Sequence, residues 1–310
     1  MSESLLIVAR QVGILFMLMA VGFMCNRRKV LAEQSVKGIV EVLILVVTPC
    51  VIVNAFQRPF DTKLLQGLGW ALGIAMLSHA LGIVASLMFR RQDRRRRGVL
   101  CFATTFSNAG FMGIPLEYAL LGNDGVFFGA VYVAMFNVVC WSWGLVTMCG
   151  SMKEIRTRTL FVNPGTMGIA CGLPFFLFSL RLPEVVNVPV RMLSDLNTPL
   201  AMIVIGYYLA EAHFGTVLRC GAAYLATVLR LLVIPGVVLG VVWACRPPDS
   251  TMAVALVTAA SAPVAALTTV FAAKYDGDVS LSVGLVSGTT LLSIFTMPPI
   301  VGMAMWLFGV

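Results

Sequence analysis

Two segments of this chain place prolines and polar groups inside long apolar runs. The first is Thr104-Thr105-Phe106-Ser107-Asn108-Ala109-Gly110-Phe111-Met112-Gly113-Ile114-Pro115. Pro115 has no N–H, so the carbonyl of Phe111 loses its helical partner. Gly110 and Gly113 lower the cost of leaving helical dihedrals. Ser107 and the Asn108 amide stand beside the expected break. The second segment is Ala259-Ala260-Ser261-Ala262-Pro263-Val264-Ala265-Ala266-Leu267-Thr268-Thr269, in which Pro263 frees the carbonyl of Ala259. Its small residues, Ser261 among them, permit close helix approach, and Thr268 adds a hydroxyl. Such groups suit recognition of a solute by exposed backbone and by the Asn108 amide. Two broken helices that cross would also aim half-helix N-termini, partly positive, at one point, which is a place for an anion. A proline kink repaired by neighbouring hydroxyls, or tight packing of small residues, accounts for the same residues without a ligand.

Other polar residues lie in comparable surroundings. Asn54, Asn137 and Asn197 suit either a ligand or a tie between helices. Ionisable residues inside apolar runs include Glu41, Glu117, Asp195 and Arg230, and such residues in a membrane are functional candidates. Arg191 and Asp195 have the i, i+4 spacing of a helical ion pair. Arg230 would offset substrate charge, pair structurally or snorkel. No two acids form an obvious proton relay, so a coupling ion, sodium or proton, is left open.

Enzyme chemistry lacks its parts. The eight cysteines include no Cys-x-x-Cys pair, and His79 and His213 are far apart, so neither a metal site nor a disulfide framework is expected, and no cofactor is called for. A nucleophile–base pair is not evident, and no large soluble segment offers a sensor's output domain.

The elements that must position these residues follow from composition. Of 310 residues, 59% are hydrophobic and 12% charged, with a mean hydropathy of +0.93, against about 25% charged in soluble domains. Only a lipid-facing surface explains the deficit. A span needs about 20 mostly apolar residues, and ten stretches qualify: 5–25, 36–56, 64–89, 98–121, 126–150, 164–182, 188–212, 217–245, 251–273 and 280–308. The first lacks a basic n-region before it and reads as a span rather than a cleavable signal. All are expected to be helices, because lipid cannot satisfy open sheet edges. The net charge of +8 gathers in short loops, densest at Arg90-Arg91-Gln92-Asp93-Arg94-Arg95-Arg96-Arg97. No aromatic residues interleave there, so nucleic acid is not the expected partner. Alternate loops hold 14 Lys and Arg on one side against 5 on the other. The richer side is expected to be cytoplasmic, which puts both termini outside the plasma (bacterial inner) membrane.

Ten spans divide into two fives, and an odd-numbered repeat inserts upside down. Thr48-Pro49 recurs as Thr198-Pro199, and Pro115 as Pro263, at similar offsets. The expected organisation is therefore a first five-helix repeat over 1–150, a cytoplasmic linker over 151–163 and an inverted second repeat over 164–310. Gly67, Gly69 and Gly73 form a small-residue face that serves either a homodimer or internal packing.

The segment Asn108-Ala109-Gly110-Phe111-Met112-Gly113-Ile114-Pro115-Leu116 resembles the fourth-helix signature of bacterial members of the auxin efflux carrier family. Phe271-Ala272-Ala273-Lys274-Tyr275-Asp276-Gly277-Asp278 resembles the ending of the family's ninth helix, and Thr290-Leu291-Leu292-Ser293 its tenth-helix pattern. Thr198-Pro199-Leu200 with Gly206 and Leu209-Ala210 fits the seventh helix, and Asn163-Pro164 the start of the sixth. The resemblance implies an all-α fold similar to bile-acid sodium symporters and sodium–proton antiporters: ten transmembrane helices in two inverted five-helix repeats, with broken helices 4 and 9 crossing at Pro115 and Pro263. It further implies a scaffold of spans 1, 2, 6 and 7, a transport domain from the rest, and small carboxylates as substrates. The chain departs from the commoner pattern at Ser261-Ala262 and at Val264–Thr268, where relatives often carry Met-Pro and an Asn. It also lacks the long central loop of many plant carriers. The expected function is a carrier moving a small organic anion, a mono- or dicarboxylate, by alternating access. The alternatives are an ion-coupled carrier for a bulkier or neutral solute and, outside transport, a membrane sensor or enzyme.

Overall fold

The computed structural model describes residues 2–150, 164–212 and 215–310. The expected linker 151–163 and His213 lie outside the described residues. Among the described residues the regular structure is all helical: α1 (Ser2–Arg27), α2 (Glu33–Val42), α3 (Thr48–Phe56), α4 (Thr62–Ser86), α5 (Arg94–Thr105), α6 (Ile114–Val139), α7 (Leu145–Cys149), α8 (Pro164–Leu177), α9 (Glu184–Asp195), α10 (Asn197–Ala210), α11 (Gly215–Leu218), α12 (Gly221–Val228), α13 (Ile234–Cys245), α14 (Ser250–Ser261), α15 (Leu267–Lys274) and α16 (Val279–Phe308). Acidic residues open several of them. The side chains of Asp61, Asp93, Asp249 and Asp278 accept hydrogen bonds from the backbone N–H of Lys63, Arg96, Met252 and Leu281, meeting donors that no helical carbonyl can reach.

Among the described residues, seven helical stretches are long and apolar enough to cross a membrane, and the shorter apolar helices include Thr166–Leu177 and Ser250–Ser261. The difference from ten hydropathy stretches has a physical origin. Hydropathy counts a run whether or not its helix is continuous, and the runs 98–121 and 251–273 are each divided by unwound residues. The runs around Gly122 merge into one stretch, Ala109–Cys149, yet the chain reverses within it. Gly122 has φ 63° and ψ −150°, and a methyl group at Gly129 would collide with the Glu117 carboxylate. Twelve residues of straight helix would separate those positions by about 18 Å.

Side-chain ties sort the loops into two ends. At one end Asn26 bonds Glu211, Arg94 bonds the Cys149 carbonyl, Arg95 pairs with Asp276, Arg96 pairs with Asp278, and Thr216 bonds Ser280. At the other, Arg58 lies over the Phe127 ring and pairs with Asp124 at 2.8 Å, Gln57 bonds Asn187, and Phe60 N–H donates to Ser179. The basic loops thus collect at the first end.

Helix α1 packs along α10, and α3 along α8. The first contact is close enough to exclude any side chain at two points. A methyl group at Gly206 would strike the backbone of Met19, and one at Gly22 the backbone of Ile203. We therefore expect Gly206→Ala to destabilise the fold by about 1–3 kcal/mol through overpacking, read as a lowered thermal midpoint in detergent. Gly236→Ala, which meets nothing within 4 Å, should leave that midpoint unchanged or raise it.

Candidate functional site

The two unwound stretches meet. Helix α5 stops at Thr105, where the hydroxyls of Thr104 and Thr105 bond back to the carbonyls of Leu100 and Cys101. Such back-bonding weakens a helix end. Phe106 is extended (φ −106°, ψ 114°), and Ser107 and Asn108 follow before a π turn over Ala109–Gly113. In the other half, Ala262 is extended (φ −60°, ψ 148°), as the ring of a following proline favours. Ser107 and Val264 form an antiparallel bridge. The Asn108 N–H donates to the Pro263 carbonyl at 2.7 Å, the Ala265 N–H donates to the Phe106 carbonyl at 3.0 Å, and the Val264 N–H donates to the Thr289 hydroxyl at 3.1 Å. Each break therefore supplies the partners that the other lacks, in a place where water does not.

The expectation that Pro115 marks the crossing is corrected. Pro263 lies in the crossing, but Pro115 stands one π turn beyond Asn108 in the first turn of α6, preceded by helical Ile114. The missing N–H of Pro115 is accommodated by shifting the hydrogen-bond register, so that Gly113 N–H reaches the Asn108 carbonyl five residues back. Pro49 and Pro235 follow the π turns Leu43–Val47 and Leu229–Val233 at the same spacing. A proline after a π turn is thus a recurrent kink in this chain, and the break itself comes from Phe106–Asn108.

Donors for a ligand are few. The Asn108 amide nitrogen is buried and has no hydrogen-bond partner among the described residues. It stands at the start of the π turn, where the first N–H groups have no acceptor within the helix. Gly110, which has nothing within 4 Å of a Cβ position, opens there on a cavity of about 10 Å³. Thr48, Val51, Ile52, Ile114, Ala130, Val133 and Asn197 complete its lining. That is room for one water molecule at most. Gly113 lies against Ala259, where a Cβ would be 3.5 Å from the Ala259 Cα. The Ser261 and Thr268 hydroxyls donate to the carbonyls of Thr258 and Ala265, which leaves them no proton for an anion. A larger, open depression lined by Arg58, Phe60, Asp61, Asn123 and Asp124 lies at the loop end, away from the crossing.

Several expected residues are placed elsewhere. Asn54 reaches Asn123 in the Gly122 turn at 3.5 Å, and the Asn137 amide donates to the Val133 carbonyl one turn back. Asp195 and Arg191 are exposed and, among the described residues, form no ion pair with each other, so the expected i, i+4 pair is corrected. Helix α9 has no buried residue among those described, so its side chains lie in the open, where such a pair gains little. Glu117 is fully buried, with both carboxyl oxygens unpartnered among the described residues. Arg230 is also fully buried, and it lies at the crossing.

The sequence reading missed a polar layer behind the breaks. The Tyr132 hydroxyl lies 2.8 Å from Ser78 Oγ and accepts from Ser107 at 3.4 Å. His79 donates through Nδ1 to the Ala75 carbonyl, and its ring lies 5.0 Å from that of Tyr132. Weighing His79 only as a metal ligand concealed it. A histidine within a span is itself a signal.

Known proteins are similar to this sequence along almost its whole length. A family model described as "Membrane transport protein" matches residues 7–158 and 146–301. An uncharacterized transporter of Methanothermobacter thermautotrophicus is 27% identical over 288 residues, covering 91% of this chain and 93% of its own length. An uncharacterized transporter of Methanocaldococcus jannaschii is 23% identical over 299 residues, covering 92% and 94% respectively.

The Thr289 hydroxyl offers a test of the paired breaks. Thr289→Val leaves the buried Val264 N–H without an acceptor, which should cost about 1–3 kcal/mol and lower the thermal midpoint in detergent. Thr290→Val, where the hydroxyl only bonds back to the Val286 carbonyl, should cost less.

Proposed function

Since the chain belongs to the membrane transport protein family, that of the auxin efflux carriers, and is an integral multi-pass membrane protein, we propose that it is a secondary carrier of small organic anions. Its substrates would be mono- or dicarboxylates, moved by alternating access.

The observation that carries this reading is the buried Asn108 amide, unpartnered among the described residues, at the start of the Ala109–Gly113 turn, whose Gly110 lines a small cavity. An amide N–H, the free N–H groups of a helix start and the positive end of its dipole are what a carboxylate needs. Ser107, Gly110, Gly113 and Pro263 form the backbone frame of this site, and Thr48 and Asn197 face it from the other layer. Ser261, Thr268, Pro115 and Asn137 shape its surroundings. Asn54 stands at the loop end and Asp195 on the outer face of α9, so neither enters the site in this state.

The cavity is too small for any carboxylate as it stands, so a solute binds only when the layers part. The layer that parts is a scaffold of α1, α2, α3, α8, α9 and α10, moving against a transport domain built around the crossing. Ten membrane crossings in two inverted halves, 1–150 and 164–310 joined by the 151–163 linker, fit the alternation of loops between two ends. The basic loops face the cytoplasm of the cell whose plasma membrane holds the protein, and both termini face out. Nothing in this reading requires enzymatic chemistry, and a homodimer through the Gly67, Gly69 and Gly73 face is compatible with it.

Uptake of radiolabelled malonate, malate and acetate into proteoliposomes tests the proposal. We expect saturable uptake of at least one. Asn108→Ala should lower apparent affinity by about 10–100-fold, the worth of a hydrogen bond to a charged group. Gly236→Ala should stay within about twofold. Neither binding nor uptake of any mono- or dicarboxylate would sink the substrate class.

A further inference from the structure

Arg230 sits in the π turn Leu229–Val233 with its side chain fully buried. Its Nη1 donates to the carbonyls of Thr104 and Thr105, at 3.4 and 3.2 Å, and its Nη2 donates to the carbonyl of Ala260. Its Nε has no acceptor among the described residues. Thr104 and Thr105 are the last residues of α5, and Ala260 belongs to the last turn of α14. The three carbonyls are therefore among those that a helix end leaves without an N–H. They mark the partly negative ends of both half-helices. No carboxylate lies within ion-pair distance of Arg230 among the described residues. A buried charge requires a counter-charge, and here two helix ends provide it.

In broken-helix carriers generally, half-helix C-terminal ends and unwound carbonyls are where a coupling cation binds. We infer that Arg230 is the resident cation of this crossing: its guanidinium holds the place that a monovalent ion would take, and removing it creates a small-cation site between α5 and α14. The further consequence, that solute movement needs no sodium, rests on the carrier reading above. The cation site does not rest on it.

The test therefore has one arm that needs no substrate. Wild type, Arg230→Ala, Arg230→Lys and Arg230→Met are purified in detergent. Thermal midpoints are read against millimolar sodium, potassium or guanidinium chloride, with choline chloride holding ionic strength constant. We expect the wild-type midpoint to be the same in sodium as in choline. Arg230→Lys, which keeps the charge, should stay near wild type, and Arg230→Met should fall by about 5–10 °C or more. Arg230→Ala should also fall and then recover saturably with guanidinium or sodium but not with choline. Saturable stabilisation of wild type by sodium, an Arg230→Met protein as stable as wild type, or a folded Arg230→Ala protein indifferent to every small cation would each overturn the inference. Should Arg230→Ala fail to fold, the Lys and Met variants decide: a folded Lys variant with a weakened or unfolded Met variant supports it, and loss of both overturns it. In the second arm, wild-type malonate uptake should change less than about twofold when choline replaces sodium at fixed pH. Absence of all carboxylate uptake would count against the carrier reading and leave the outcome of the first arm intact.

Discussion

A bilayer interior offers backbone N–H and C=O groups no water, so a helix that stops inside it must find partners in the protein. This chain stops two helices and lets them satisfy each other. Asn108 and Ala265 donate across the gap to Pro263 and Phe106, Thr289 accepts from Val264, and Arg230 donates to carbonyls at the two helix ends. Neither break would be tolerable alone. The arrangement leaves the Asn108 amide without a partner among the described residues, which is why the proposed site is placed there.

The same constraint organises the packing. Apolar residues fall into two clusters that divide at the crossing: Ala109 and Ala262 belong to one, Phe106 and Val264 to the other. Between them lies the polar layer of Ser78, His79, Ser107, Tyr132, Thr289 and Arg230. Apolar contacts hold each cluster, and hydrogen bonds with direction hold the layer between. Because those bonds link the two breaks to each other, the crossing is braced from within. The cavity lies instead where α3 and the start of α10, through Thr48, Ile52 and Asn197, face Gly110 and Ile114 with few polar ties. In the proposed carrier, that face is the one that separates.

Proline shows how local chemistry and packing divide the outcome. The residue before Pro263 is extended, as steric rules favour, and the helix ends there. The residue before Pro115 stays helical, because a π turn shifts the register and absorbs the missing donor, as it does before Pro49 and Pro235. Both prolines read alike in sequence. The lower helix propensity of Thr104-Thr105-Phe106-Ser107-Asn108, rather than Pro115, carried the signal for the first break.

By itself the sequence determined the helical class, the membrane setting and the short list of polar residues inside apolar runs. These depend on local composition, which any stretch of about twenty residues reveals. Only the tertiary structure decided that Phe106–Asn108 meets Pro263–Ala265 and that Arg230 reaches both helix ends. It also decided that Tyr132 and His79 join the polar layer while Asn54 and Asp195 stand apart. Those relations connect residues from 25 to 159 positions distant, and they arise because each unpaired backbone group accepts whichever partner packing brings within about three ångströms. No local sum of propensities contains that distance.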